Sequence, residues 1–430
     1  MTSTTNAGPE SVGPEQAAPA ATDGSRPRIQ GPLRRLLLWF LPGTLSIYVL
    51  WGAIPTILLP LQVEDIDPAA KVANLALVTT IGAFAAMVAQ PIAGRISDRT
   101  RTRYGRRAPY LVGGALMGGL ALIALGFSSS LMLITLCWVL VQISFNIVQG
   151  PFTAILPDRV PATVRGTFAA VIGSMTMLGA IGGAILASSL AESIPVAYLL
   201  LAGFAIVVLT GFVIANPDRD NRGEPAPPFH VRSFLSTFWV NPIAHPDFFW
   251  AFTGRLLLYT GYFSVSGYLL YLLQDYIGLG EDAVGLVPLV TAAGLPAIVL
   301  SIAISGPWSD RVGRRKPFVV ASSLLVGAAL IVPWVWPTLE GMIAFSVLAG
   351  LGFGAFQAVD TALVSQVLPS EHAHGKDLGV VNIAATLPQT LAPAVAGSIV
   401  LLFGFAALFP FAMVLSVLGA IAVLPIRSVR

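Results

Sequence analysis

Cysteine, histidine and charge are all scarce in this chain, and each shortage excludes a class of protein. One cysteine, Cys137, and four histidines occur among 430 residues, which excludes a disulfide framework and a cysteine-based metal site. Charged residues make up only 10% of the chain, whereas an ordinary soluble domain carries about 25%. The chain is therefore not an ordinary soluble domain, and we expect it to hold no metal or other cofactor.

Motifs for ATP binding and the usual features of enzymes are missing as well. The sequence contains no Gly-x-x-x-x-Gly-Lys-Ser/Thr loop, so it does not bind ATP in the P-loop manner. An enzyme needs a clustered nucleophile, a metal set or an acid–base pair, and Asp360 is the only acid well inside a predicted span. The net charge of +3 gives no support to nucleic-acid binding. We expect neither an enzyme nor a nucleic-acid-binding protein.

Apolar residues are what the chain has in abundance. Hydrophobic residues make up 55% of it, with a mean hydropathy of +0.80, and they occur in stretches of about 20 residues, the length that spans a bilayer core. This pattern predicts an all-α membrane protein with twelve transmembrane helices in a lipid bilayer, six in each half. The predicted spans are residues 36–61, 72–93, 108–127, 131–156, 167–190, 194–215, 248–274, 284–304, 317–336, 341–367, 380–403 and 406–426.

The distribution of basic residues orients these spans. Of the 24 lysines and arginines, all but Lys71 and Arg255 fall in segments that share one side of the membrane if both termini are cytoplasmic. Such asymmetry follows the positive-inside rule. It predicts a multi-pass protein of the inner or plasma membrane with both termini in the cytoplasm.

Composition divides the chain into four parts. We predict a disordered cytoplasmic tail over residues 1–32, an N-terminal six-helix bundle over 33–215, a cytoplasmic central linker over 216–247 and a C-terminal six-helix bundle over 248–430. The tail is rich in Pro, Ala, Thr, Ser and Gly, a composition typical of disorder. It has no apolar core of its own, so we do not expect a cleavable signal peptide. Since one chain supplies both bundles, a monomer is expected.

A charged signature occurs twice, at matched places in the two halves. One copy reads Gly94-Arg95-Ile96-Ser97-Asp98-Arg99 and continues at Gly105-Arg106-Arg107, and the other reads Gly306-Pro307-Trp308-Ser309-Asp310-Arg311 and continues at Gly313-Arg314-Arg315. The opening glycines are 212 positions apart, as are Leu156-Pro157 and Leu368-Pro369, while the first loop carries four extra residues. So long a period indicates a duplicated half-protein, which is how many secondary transporters are built.

With these residues the chain resembles the major facilitator superfamily. Gly94-x-x-x-Asp98-Arg99 and Gly306-x-x-x-Asp310-Arg311 match its signature between helices 2 and 3 and between helices 8 and 9. The longer first loop is similar to that of the glycoside–pentoside–hexuronide cation symporters and sucrose carriers. The resemblance implies two pseudo-symmetric six-helix bundles and a charged cluster that latches them together on the cytoplasmic side. The expected members of this gate are Gly94, Asp98, Arg99, Gly105, Arg106, Arg107, Gly306, Asp310, Arg311, Gly313, Arg314 and Arg315.

The signature has a physical rationale. Gly94 would let helix 2 approach a neighbouring helix closely, and Asp98 would sit against the positive N-terminal end of another helix. Arginines such as Arg107 would then bridge carboxylates on the cytoplasmic face. The plain alternative is that these arginines only obey the positive-inside rule.

In the superfamily that the chain resembles, helices 1, 4, 7 and 10 line a central cavity. Here the matching spans, and helix 11, carry polar or aromatic residues at helical i, i+4, i+7 spacing, which puts them on one face. The candidate substrate-binding residues are Tyr48, Trp51, Gln142, Asn146, Gln149, Tyr259, Tyr262, Gln357, Asn382 and Gln389. Amides and rings suit a neutral polyhydroxylated solute, and an amphipathic drug-like solute nearly as well. The alternative is that they hydrogen-bond one helix to another.

Two ionisable residues lie inside predicted spans at similar depth, Arg255 in helix 7 and Asp360 in helix 10. Intramembrane ionisable residues are functional-site candidates. We predict that Asp360 takes up a proton, or competes for Arg255, as substrate and access change. The alternative is a static pair that holds the two helices in register.

Two departures from related patterns narrow the function. The cation symporters place cation-binding acids in helix 2, whereas residues 72–93 contain none, which favours protons or uniport over sodium. Gly179-Ala180-Ile181-Gly182-Gly183 lacks the proline of the drug-antiporter pattern. The sequence thus predicts a secondary active transporter that moves a sugar, glycoside or similar small polar solute by alternating access, coupled to protons. The alternative is an efflux carrier for an antibiotic or other amphipathic molecule.

Overall fold

The computed structural model describes residues 29–223, 225, 243–367 and 374–427, without the side chains of residues 361, 365 and 374–385. Nearly all of the predicted tail and most of the predicted linker, over residues 226–242, therefore lie outside the described residues. The side chain of Asn382 lies outside them as well. The described chain consists of helices joined by turns, and it contains no β-strand.

Within the described residues, eleven helices are long and apolar enough to cross a membrane, and a bent pair makes a twelfth span. The N-terminal half holds α1 (Gly31–Ile66), α2 (Lys71–Arg99), α3 (Ala108–Gly126), α4 (Leu131–Arg159), α5 (Arg165–Ser189) and α6 (Ile194–Ala215). The C-terminal half holds α7 (Pro246–Ser266 and Leu269–Tyr276), α8 (Ala283–Val312), α9 (Lys316–Val335), α10 (Leu339–Gln366), α11 (His374–Phe403) and α12 (Leu408–Val423). The prediction of an all-α membrane protein with twelve spans is confirmed.

The helices next to the signature run further than the sequence predicted. α2 continues to Arg99 and α8 to Val312, so residues 94–99 and 306–311 lie in the last helical turns rather than in loops. The predicted ends followed the loss of apolar character, but a helix that emerges from the bilayer can keep its backbone hydrogen bonds. α8 ends where Gly313 adopts a left-handed conformation with φ +65°, which glycine tolerates at little cost.

Two helices are irregular at matching places. α1 contains a wide π-type turn at Ile54–Leu58, and α7 bends by 51° between Ser266 and Leu269. The 212-residue spacing carries positions 54–58 onto 266–270, so both halves deform at the same level. The continuous helix predicted over residues 248–274 is therefore wrong at Gly267. Ser-Gly pairs and π-turns are common causes of sharp helix bends.

Glycines let the helices of each half cross with their backbones in contact. A β-carbon on Gly52 of α1 would collide with the carbonyl oxygen of Ala180 in α5, and one on Gly183 would collide with that of Val49. α8 and α10 cross in the same manner, because a β-carbon on Gly350 would lie 2.5 Å from the Gly294 carbonyl oxygen. In lipid, close contacts between small residues are a main source of helix association.

Replacing Gly183 by valine should destabilise the protein, because the added carbons overlap the α1 backbone. Overpacking of this kind costs about 1–3 kcal/mol, and we expect a lower thermal unfolding temperature of the detergent-solubilised protein. Gly182→Val is the matched control, since a β-carbon on Gly182 meets no described atom within 4 Å. Equal unfolding temperatures for the two variants would contradict the tight crossing.

Candidate functional site

The two halves touch through α2 and α11 and through α5 and α8. We name the end that carries the signature loops, residues 100–107 and 313–315, the basic end, and the end that carries the α1–α2 turn, residues 67–70, the opposite end. Near the opposite end, a β-carbon on Gly397 of α11 would lie 2.6 Å from the β-carbon of Ala76 in α2. The halves are in tight contact at this end.

Charged and polar side chains lock the opposite end across the two halves. The ammonium group of Lys71 in α2 lies 2.7 Å from a carboxylate oxygen of Glu64 in α1 and 2.9 Å from one of Asp275 in α7. It also lies 4.7 Å from the ring centroid of Tyr271. Gln274 donates a hydrogen bond to Glu64 at 3.2 Å. We call these five residues the latch.

The C-terminal half contributes to this closure through the end of α7. Tyr271, itself a latch residue, also donates to the backbone carbonyl of Pro60 in α1 at 2.8 Å, and Tyr268 donates to that of Val72 in α2 at 3.5 Å. Tyr268 lies within the 51° bend of α7, and Tyr271 follows it. The short segment after the bend is therefore the part of α7 that holds α1 and α2.

At the basic end, the first signature copy forms an ion-pair cluster inside the N-terminal half. Arg107 lies 3.0 Å from Asp98 of α2 and 3.0 Å from Asp158 of α4, and Arg106 lies 2.8 Å from Asp158. Ser97 accepts a further hydrogen bond from Arg107 at 3.2 Å. The sequence reasoning missed Asp158, although this residue directly follows the repeated Leu156-Pro157.

The second signature copy makes a smaller cluster inside the C-terminal half. Arg315 lies 3.3 Å from Asp310 of α8 and donates to the backbone carbonyl of Ala362 in α10 at 2.5 Å. Arg311 and Arg314 are exposed. The ion pairs described at this end thus tie helices together within each half, whereas the latch joins the two halves.

The halves diverge towards the basic end. A β-carbon on Gly94 of α2 or on Gly306 of α8 would meet no described atom within 4 Å, so the close approach expected of Gly94 is not made in this conformation. Thr153, Gln357 and Gln389 are exposed within their spans. Polar groups inside a membrane protein face a partner helix or a water-filled cavity rather than lipid. We interpret the exposure of these three side chains and the open space beside the two glycines as a crevice between the halves that opens at the basic end.

Four predicted substrate residues of the N-terminal half lie partly exposed on α1 and α4, namely Tyr48, Trp51, Gln142 and Gln149. Asn146 is buried and donates to the backbone carbonyl of Gln142 at 2.8 Å. Trp138, which the sequence reasoning missed, lies edge-on to Trp51 at 6.4 Å and has a buried indole N–H with no partner among the described residues. Trp138 precedes Gln142 by one helical turn, and this spacing could have identified it from the sequence.

The predicted residues of the C-terminal half are divided between the crevice and the bundle interior. Tyr262 is partly exposed and stacks on Phe353 at 4.2 Å, a partner that the sequence reasoning did not identify. Gln357 and Gln389 are exposed, as noted above. Tyr259 is only 4% exposed and packs against Phe353 and Phe356. Its placement is that of an interior packing residue in this conformation.

Arg255 and Asp360 are brought together in the interior of the C-terminal half. The guanidinium Nε lies 3.4 Å from a carboxylate oxygen of Asp360, and the two residues are 7% and 2% exposed. Among the described residues, Nε and Nη1 of Arg255 and this oxygen make no hydrogen bond of good geometry. The guanidinium also lies 5.3 Å from the ring centroid of Tyr259. The pair is buried and incompletely satisfied.

Comparison with known families places this architecture. The profile of the Major Facilitator Superfamily matches residues 38–280 and 251–430. The chain belongs to the Major Facilitator Superfamily. This superfamily member is accordingly a multi-pass membrane transporter of small solutes, and not an enzyme.

Two curated relatives match parts of this superfamily member. It is 30% identical over 124 residues to the sucrose transport protein SUT1 of Oryza sativa subsp. japonica, which covers 24% of the chain and 23% of SUT1. It is 26% identical over 161 residues to the uncharacterized MFS-type transporter YwfA of Bacillus subtilis, 37% of either protein. Each match thus spans well under half of the relative. The resemblance to the sucrose-carrier branch is supported.

A solved structure shows the same fold over nearly the whole chain. The nucleoside transporter NupG superimposes with a TM-score of 0.70 at 14% identity, covering 91% of this chain and 99% of NupG. At this identity the likeness shows only that the two proteins share a fold. The two six-helix halves described above are consistent with that fold.

Lys71→Glu should open the opposite end, because it places a third negative charge between Glu64 and Asp275. In a Cys137→Ser background, a cysteine at Ala76 would lie against α11 near the latch. We expect its labelling by a membrane-impermeant maleimide to quicken about fivefold, the effect of ~1 kcal/mol of lost pairing.

The matched control for this variant exchanges the charges. Lys71→Glu combined with Asp275→Lys restores an attractive pair between α2 and α7, so labelling should slow towards the rate of the parent protein. If Lys71→Glu alone left the labelling rate unchanged, the latch would not be what holds this end closed.

Proposed function

We propose that this transporter moves a sugar, glycoside or similar polar metabolite by alternating access, coupled to a proton. The observation that carries the proposal is the opposed state of the two ends: a latch joins the halves at one end, and a crevice with amides and aromatic rings opens at the other. Duplicated bundles that rock about a central site produce this kind of access.

The solute class follows from the side chains along the crevice. Those of Trp51, Gln142, Gln149, Tyr262 and Gln357 are all uncharged. Amides supply donors and acceptors for hydroxyl groups, and aromatic rings supply flat apolar faces for the carbon skeleton of a sugar. The likeness to the rice protein SUT1, a sucrose transport protein by name, supports the same class.

The proposed coupling depends on the buried pair Arg255 and Asp360. Protonation of Asp360 would leave Arg255 as a buried charge without its partner, which is strongly unfavourable. A proton taken up there therefore favours a rearrangement of α7 and α10. Coupling of this kind links protonation to the position of two helices that border the crevice.

The matching region of the N-terminal half argues against a purely structural pair. The 212-residue spacing carries Arg255 back to Gly43, beside which lies the ring of Phe152. Phe152 packs with Phe40 and Phe212 at ring-centroid distances of 5.1 and 5.2 Å, and Phe40 lies 5.6 Å from Phe212. Apolar packing is often as stable as a buried ion pair or more so. The duplicated scaffold is thus stable without charge here, which supports a functional role for the pair.

We further propose that the basic end faces the cytoplasm of a cell or plasma membrane, and that the monomer is the transporting unit. The supporting observation for orientation is the clustering of arginines at that end, as the positive-inside rule requires. A crevice whose described lining comes from one chain supports the monomer.

Purified protein in proteoliposomes tests the function. We expect radiolabelled sucrose or another glycoside to accumulate inside when an inwardly directed proton gradient, acidic outside, is imposed. Accumulation should stop when a protonophore dissipates the gradient. A preceding thermal-shift screen over sugars, nucleosides, organic acids and drugs selects the solute, since ligand binding raises stability. Stabilisation by amphipathic drugs alone, with drug resistance on expression, would instead favour the efflux carrier.

Asp360→Asn should abolish the dependence of uptake on the pH gradient while leaving downhill exchange of the solute. The loss of gradient-driven accumulation should be at least about tenfold, because the carboxylate is the proton acceptor in the proposal. Glu340→Gln is the matched control, as it removes an exposed acid from the same helix α10.

A second variant allows the coupling role to be tested even if Asp360→Asn misfolds. Asp360→Asn leaves Arg255 unpaired, so Arg255→Met with Asp360→Asn should fold better than the single variant. Gradient-driven accumulation at the parent level by either variant would contradict the coupling role.

A further inference from the structure

The first residues of the predicted linker pack onto the first signature loop. The N–H of Thr102 donates to the side-chain oxygen of Asn221 at 2.9 Å, and the side-chain amide of Asn221 donates to the carbonyl of Thr100 at 3.0 Å. The backbone N–H of Asn221 donates to the carbonyl of Thr102 at 3.4 Å. Asn221 is only 6% exposed. One residue thus satisfies three backbone groups of the loop.

Residues on either side of Asn221 strengthen this contact. Arg159 of α4 donates to the carbonyl of Asn216 at 3.0 Å and to that of Pro217 at 3.4 Å. The side chain of Asp218 fills the space beside Gly105, whose φ of +81° and lack of a β-carbon allow the approach. The segment is therefore held by α4 as well as by the loop.

The loop residues that receive the segment belong to the longer of the two signature loops. In the second copy, α8 ends at Val312 and Gly313 leads directly into Arg314. In the first copy, α2 ends at Arg99 and four extra residues precede the equivalent glycine. These extra residues form the turn that carries Thr102, so the insertion coincides with the docking surface.

A chain of hydrogen bonds runs from this turn to the basic-end ion pairs. The Thr102 hydroxyl donates to the carbonyl of Gly105 at 2.7 Å, and the carbonyl of the next residue, Arg106, accepts from Ser97 at 3.1 Å. Arg106 and Arg107 then reach Asp158. The position of the turn therefore determines where the backbone of Arg106 and Arg107 lies, and so whether their side chains reach Asp158.

We propose that residues 216–221 form a strap that belongs to the N-terminal half, and that Asn221 is a positioning residue for the ion pairs of Arg106 and Arg107. The boundary between the N-terminal bundle and the linker then lies after Asn221 rather than at residue 215. The inserted loop residues serve as the receptor for the strap. A displacement of residues 216–221 would therefore act directly on the charged cluster at the basic end.

Limited trypsin digestion tests the docking in the intact protein. The loop contains Arg101 and Arg103, and Asn221→Ala should speed cleavage after them about tenfold, since three hydrogen bonds that restrain the turn are weakened or lost. Asn221→Asp keeps the acceptor for Thr102 and loses the donor to Thr100. Its cleavage rate should therefore lie between those of the parent protein and Asn221→Ala. Asp220→Asn is the matched control, because Asp220 is exposed and its ion pair among the described residues is a local one, with Arg222 at 2.7 Å.

A double-mutant cycle tests the positioning role, because a merely local structural role would not couple Asn221 to Asp158. Asn221→Ala and Asp158→Asn should lower the unfolding temperature by less in combination than the sum of their separate effects, because both act through the same cluster. Additive effects would mean independent sites and would overturn the positioning role. Cleavage rates of Asn221→Ala equal to those of Asp220→Asn would overturn the strap itself.

A disulfide trap keeps the proposal testable if Asn221→Ala does not fold. In a Cys137→Ser background, Thr102→Cys with Asn221→Cys should cross-link under mild oxidation, because the two backbones are hydrogen-bonded neighbours. Thr102→Cys with Asp220→Cys serves as the control pair. A failure of the first pair to cross-link, in protein that still unfolds cooperatively, would contradict the docked strap.

Discussion

Lipid provides no hydrophobic force that drives one bundle against the other, since its tails are as apolar as the helix surfaces. The halves must therefore be held by close backbone contacts and by a few polar bonds. At the opposite end those bonds run between the halves, through Lys71 and the end of α7. At the basic end the described ion pairs of Arg107 and Arg315 stay within each half. Which end is closed thus depends on a small number of exchangeable polar contacts.

The same constraint explains what the sequence could predict. Spans of about 20 apolar residues, repeated at a fixed period, leave few alternatives in a bilayer, where each backbone group needs a partner within its own helix. The twelve helices, the duplication and the meeting of Arg255 with Asp360 all follow from such one-dimensional patterns. Helix ends outside the lipid follow another rule, so α2 and α8 extend beyond their predicted limits.

Partners that lie far apart in the chain were harder to predict. Asp158 and Asn221 occur in ordinary polar segments, and only the folded loop shows that they meet the signature. By residue type alone, Trp138 and Phe353 are not distinguishable from other apolar residues of the spans. The structure shows their rings in contact with those of Trp51 and Tyr262. Tyr259 shares the helical spacing of Tyr262, but the rotation of α7 turns it inward. Periodicity identifies a helix face, whereas packing decides what that face meets.

The departures from two-fold symmetry separate the roles of the halves. The N-terminal half fills its interior beside Gly43 with phenylalanine rings and uses its longer loop to bind residues 216–221. The C-terminal half places an ion pair in the corresponding interior and bends α7 to form the latch. The two halves thus share one scaffold but differ in what fills the interior and in what the signature loop binds. The buried ion pair and the sharp bend of α7 both lie in the C-terminal half, whereas the matching irregularity in the N-terminal half is the π-turn of α1 at Ile54–Leu58.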